Sequence, residues 1–79
     1  MINKDEPRHK KLQATLKELR KSQKVTQQEL AEHLGKPQSF VSKYESGEQN
    51  IDVIQFVDIC LALNLDPKKG FELIYYKIQ

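Results

Sequence analysis

A chain of 79 residues with a formal charge of +2 is expected to hold one small domain, which at this size buries only roughly 60% of the surface its unfolded chain exposes, with no room in these residues for a second, ligand-sensing one. One cysteine excludes a disulfide framework and a cysteine-based metal site. The opening residues lack the apolar core of a signal peptide, and the longest apolar stretch, residues 51–65, is interrupted by Asp52, Gln55, Asp58 and Asn64, so the chain is expected in the cytoplasm and not in a membrane.

Residues 1–8 are polar, contain Pro7 and show no apolar period, and are expected to form a flexible arm ahead of one domain over residues 9–79. A first helix follows, because Leu12, Leu16 and Leu19 recur at the spacing of a single buried stripe, and it should end near Lys24. Residues 1–24 hold eight Lys or Arg against three acidic residues, a sum of +5, so residues 25–79 sum to −3. That gradient suits a surface that meets a polyanion. A solvated, solubilising first helix explains the same charges and is, on the charges alone, the simpler account.

Thr26-Gln27-Gln28-Glu29 is a capping box immediately before Leu30 and Ala31, which starts a second helix at Thr26. Gly35 can take the left-handed conformation that ends it, and Pro37 opens a third helix after a turn of about three residues. At about 100° per residue, Gln38, Ser39, Ser42, Lys43 and Ser46 share one side of the third helix, while Phe40, Val41 and Tyr44 share the other. The apolar side docks the helix. The polar side offers an amide, hydroxyls and an ammonium, groups that pair with base edges and phosphates and that also occur on any solvated helix face.

Gly47 to Asn50 closes the third helix, and Asp52 with Gln55 forms a second capping box for a fourth. Val53, Ile54, Phe56, Val57, Ile59, Cys60, Leu61 and Leu63 leave that helix little polar surface, so it is expected at the centre of the core, covered on most sides, with Cys60 a core residue. Asn64 fits a left-handed cap, and Asp66-Pro67 opens a fifth helix through Phe71, Leu73 and Ile74, weakened by Gly70. Strand character is hinted at only in Tyr75 to Ile78.

This pattern resembles the Xre-type helix-turn-helix family of phage repressors and Cro proteins over roughly residues 16–74. The marks are Leu19-Arg20, Thr26-Gln27, Leu30-Ala31, Leu34-Gly35, the run from Pro37 to Glu45, Gly47, and Leu61-Ala62-Leu63. The resemblance implies an all-α, five-helix lambda-repressor-like domain with its helix-turn-helix at about residues 26–46. It implies that Gln38, Ser39 and Lys43 contact bases, that Gln27, Ser42, Ser46, Lys36 and Asn50 contact phosphates, and that Arg20 and Glu45 form a structural ion pair. Pro37, Ile51 and Asn64 depart from the common pattern, all away from the reading face.

Function follows from the same resemblance: a sequence-specific regulator of bacterial or phage type, most simply a repressor, whose partner is a double-stranded DNA operator. The alternative is a protein-interaction module such as an antitoxin or adaptor, since fold does not settle function. A homodimer is expected because so small a domain makes few base contacts, with Phe71, Ile74, Tyr75 and Tyr76 as its candidate interface. His9 and His33 have no ligand partner at metal spacing, so no metal or other cofactor is expected. No small-molecule site is marked, and no nucleophile, base and stabiliser converge to suggest an enzyme.

Overall fold

The computed structural model describes residues 6–79, which form five helices: α1 (Pro7–Ser22), α2 (Gln27–Leu34), α3 (Gln38–Ser46), α4 (Val53–Ala62) and α5 (Pro67–Ile78). No strand occurs among them. The last residues from Tyr75 to Ile78 continue α5, where the sequence hinted faintly at a strand.

Local chemistry sets the helix ends. Residues 6–8, expected in a flexible arm, begin α1: the Glu6 carboxylate accepts from the Arg8 amide at 2.7 Å and pairs with the Arg8 guanidinium, while Pro7 takes the first helical position. The rest of the expected arm lies outside the described residues. At the far end Lys24 takes a positive φ of 58°, and the Val25 amide returns to the Arg20 carbonyl at 3.3 Å.

Both capping boxes form. The Glu29 amide donates to Thr26 Oγ1 at 3.0 Å and the Thr26 amide to Glu29 Oε1 at 2.9 Å. The Gln55 amide donates to Asp52 Oδ1 at 2.7 Å and the Asp52 amide to Gln55 Oε1 at 2.9 Å. Gly35 sits at φ 66° with the Lys36 amide bonded to the Ala31 carbonyl at 2.9 Å, a turn that leaves only three residues between α2 and α3. Pro37 lies just outside α3, its carbonyl accepting from the Phe40 amide.

The core is shared by four helices and the segment after α4: Leu16, Leu30, Ala31, Val41, Tyr44, Ile59 and Leu63 are its buried members. The expectation that α4 is covered on most sides is corrected. Of that helix only Ile59 and Cys60 are buried, whereas Val53, Ile54 and Leu61 are 77%, 73% and 59% exposed. Among the helices, α4 packs chiefly on α2 and α5, and two neighbours cover one stripe of a helix, not its circumference. Gly70, read as a weakness of α5, is buried: a Cβ there would lie 2.9 Å from Cys60 Sγ and 3.2 Å from Leu65 Cδ2. The missing side chain lets α5 approach α4.

Candidate nucleic-acid interface

The two faces anticipated for α3 are separated by burial. Val41 and Tyr44 are fully enclosed and Phe40 is half-buried, its ring set edge-on to Tyr44 at 5.5 Å between centroids. Gln38, Ser39, Ser42, Lys43 and Ser46 are all exposed. No large apolar side chain is exposed on α2 or α3. The outer face of α3 is therefore polar and continuous.

Glu45 fixes the orientation of that face. Its side chain is only 2% exposed and meets Arg20, 8% exposed, through two parallel bonds: Nε to Oε2 at 2.7 Å and Nη2 to Oε1 at 3.0 Å. This bidentate geometry matches a planar guanidinium to a carboxylate. The third guanidinium nitrogen, Nη1, donates to the Val25 carbonyl at 2.7 Å, so one arginine joins α1, the segment before α2, and α3. The hydrogen bond to Glu45 holds the Arg20 guanidinium above its already high ordinary pKa.

Gln27 has two internal partners that sequence reasoning did not supply. Its Nε2 donates to Glu45 Oε1 at 3.0 Å, and its Oε1 accepts a long bond from Gln38 Nε2 at 3.5 Å. Gln38 and Gln27, placed by the resemblance in different contact classes, thus lie side by side at the junction of α2 and α3. Gln13 was also missed: it lies against Gly47 at the end of α3, on the α1 face that carries Arg20. The seven-residue interval between Gln13 and Arg20 was the available signal.

The remaining candidates fall around the same helix. Lys36 is exposed beside the start of α3, with Nζ 5.7 Å from the centre of the Phe40 ring. Ser46 Oγ donates to the Lys43 carbonyl at 3.0 Å and accepts from the Glu48 amide at 3.4 Å, which closes the helix end. Asn50 is half-buried with Oδ1 enclosed and unpartnered among the described residues. Tyr44 Oη is also enclosed without a partner among them, and burial pushes its phenol well above the ordinary value, so it stays neutral.

Ile74, named with Phe71, Tyr75 and Tyr76 as a surface residue, is instead buried at 6% exposure; the other three are exposed. Helix periodicity separates them, since α5 turns Gly70 and Ile74, four residues apart, inward. Among the described residues no three His, Cys, Asp or Glu side chains gather as metal ligands, and no helix is long and apolar enough to cross a membrane.

The profile of the helix-turn-helix family matches residues 16–69. Among solved structures, an XRE-family-like protein from Pseudomonas syringae pv. tomato is 41% identical, with a TM-score of 0.82 over 89% of this chain and 85% of that one. The chain belongs to the XRE-type helix-turn-helix family. The restriction-modification controller protein C.AhdI from Aeromonas hydrophila is 27% identical, with a TM-score of 0.75 over 84% of this chain and 100% of that one. The clp gene regulator ClgR from C. glutamicum shares the fold at 22% identity, with a TM-score of 0.79 over 91% of this chain and 94% of that one. No curated protein matches the chain. The XRE-type domain is a DNA-binding regulator module, and the layout of α2 and α3 is the one that presents a helix to DNA.

Proposed function

We propose that this protein is a sequence-specific transcriptional regulator that binds double-stranded DNA with α3 in the major groove and acts most simply as a repressor by occupying an operator. The observation that carries the proposal is the outer face of α3: five polar side chains, all exposed, on a helix whose inner face is buried and whose rotation is locked by Glu45. A groove built for a protein partner would place an apolar anchor at its centre; this face has none.

In this reading Gln38, Ser39 and Lys43 meet base edges, a Gln amide suiting adenine and an ammonium suiting guanine. Gln27, Ser42, Ser46, Lys36 and Asn50 meet phosphates and set register. The Asn50 acceptor is turned into the protein, which leaves the amide's donor end for an anion. Two copies bind half-sites about one helical turn apart. Their interface forms on α4 and α5, where Val53, Ile54, Phe71, Tyr75 and Tyr76 are exposed and Val53, Phe56, Phe71 and Ile74 border an apolar hollow of about 250 Å³.

The test is selection of bound duplexes from a random DNA pool, followed by measurement of the winners' affinity as salt is raised. A two-fold-symmetric site is expected to emerge, bound with a steep salt dependence. A pool that yields no preferred sequence would transfer the proposal to a protein partner.

A further inference from the structure

The lysines of α1 lie in different surroundings. Gln13 and Arg20 both touch the α3 region, one against Gly47 and the other on Glu45, so the line joining them marks the flank of α1 that faces α3. The opposite flank faces α5: Lys11, Ala14, Thr15 and Glu18 border a hollow whose far wall includes Lys77. At about 100° per residue, Lys10 and Lys17 fall between Gln13 and Ala14, about 40–60° from each, on the outward side turned away from the buried leucines. Both are exposed, and neither enters an ion pair among the described residues.

The same reckoning applies to α3. Glu45 points to α1, Val41 and Tyr44 point to the core, and Ser42 and Ser46 lie on the far side of Glu45 from the core. Lys10 and Lys17 on α1, and Ser42 and Ser46 on α3, therefore emerge on one outer surface across the Arg20–Glu45 seam. We infer that Lys10 and Lys17 extend the DNA-contacting surface from α3 onto α1 and neutralise phosphates on the strand bordering the groove that α3 enters. This rests on the DNA-binding reading above. Lys11 and Lys77, on the α5 flank, take no part.

The test compares wild type, Lys10→Gln/Lys17→Gln and Lys11→Gln/Lys77→Gln on the selected duplex and on a random duplex over a range of salt. The two double variants carry the same formal charge, zero in place of +2, so bulk charge cancels between them. The slope of log affinity against log salt is expected to flatten by about 1.8 per protomer in the first variant, about 0.9 for each phosphate no longer neutralised. The loss should be equal on both duplexes, with sequence preference intact, and Lys11→Gln/Lys77→Gln should keep the wild-type slope. Lys17→Arg, which keeps the charge, should also keep the slope. Equal slopes in the two double variants would overturn the inference while leaving the DNA reading in place. A wild type that shows no salt-dependent binding to either duplex overturns both, which separates the two failures.

Discussion

Glu45 is the residue on which the reading face depends mechanically. Its carboxylate is enclosed and takes bonds from Arg20 and Gln27, so Glu45→Ala strands a buried guanidinium. Stranding one member of a buried pair costs about 3–5 kcal/mol, and each kcal/mol is worth about 4–8 °C in a domain of this size. The melting temperature followed by circular dichroism is expected to drop by tens of degrees; a melt superimposable on wild type would show that the pair bears no load. Joined by the bond from Gln38 Nε2 to Gln27 Oε1, Gln27 and Gln38 are expected not to behave as independent contacts. Gln38→Ala is expected to lose about 1–3 kcal/mol of discrimination at one base pair. Gln27→Ala, while weakening binding to every sequence, should also reduce that discrimination by freeing the Gln38 amide. A double-mutant cycle on operator binding should therefore give a coupling of at least about 0.5 kcal/mol, and strictly additive losses would mean that Gln38 is oriented without its neighbour. The exposed polar face was legible in the sequence because exposure on an amphipathic helix follows from periodicity. The use of Gln27 was not, since its partners lie 11 and 18 residues away and no local pattern encodes such a contact.

Helix ends were the most legible elements, because a cap is chemistry within four residues. Thr26 with Glu29, Asp52 with Gln55, Gly35, and Asp66 before Pro67 all act in the structure as their spacing implies. The burial of α4 was not legible, because its composition is apolar around most of the circumference while coverage depends on where α2 and α5 sit. Gly70 shows the same division between local and tertiary effects. Helix propensity alone predicts that Gly70→Ala stabilises α5 by up to about 1 kcal/mol. The added methyl would, however, lie 2.9 Å from Cys60 Sγ and 3.2 Å from Leu65 Cδ2, and overpacking a tight core costs about 1–3 kcal/mol. The expected outcome is a net loss of stability in urea unfolding. Cys60→Ala/Gly70→Ala, which removes the sulfur, should be less destabilised than the sum of its single substitutions. If Gly70→Ala raises stability by itself, α4 and α5 have room to separate and the close approach is not a constraint.

At the scale of the whole molecule, two surfaces face different tasks. One, on the proposal above, spans α3 and the outward side of α1, where Lys10, Lys17 and Lys43 are exposed. The other, at the start of α4 and along α5, carries Val53, Ile54, Phe71, Tyr75 and Tyr76, whose rings form a chain with Phe71 to Tyr75 at 6.5 Å and Tyr75 to Tyr76 at 6.0 Å. An exposed cluster of large side chains beside an apolar hollow marks an interaction surface, which on the proposal above is taken by a second copy of the chain. Because these side chains are exposed in the monomer, Phe71→Glu/Tyr75→Glu should leave the thermal melt of the single domain nearly unchanged while abolishing dimers in sedimentation. Affinity for an isolated half-site is expected to stay at the wild-type value. Affinity for the full site is expected to fall by about 10²–10⁴-fold, the advantage of making the second binding event intramolecular. Equal losses on half-site and full site would place these rings in the DNA contact or the fold, and an unchanged full-site affinity would mean that the two copies bind without touching through α5.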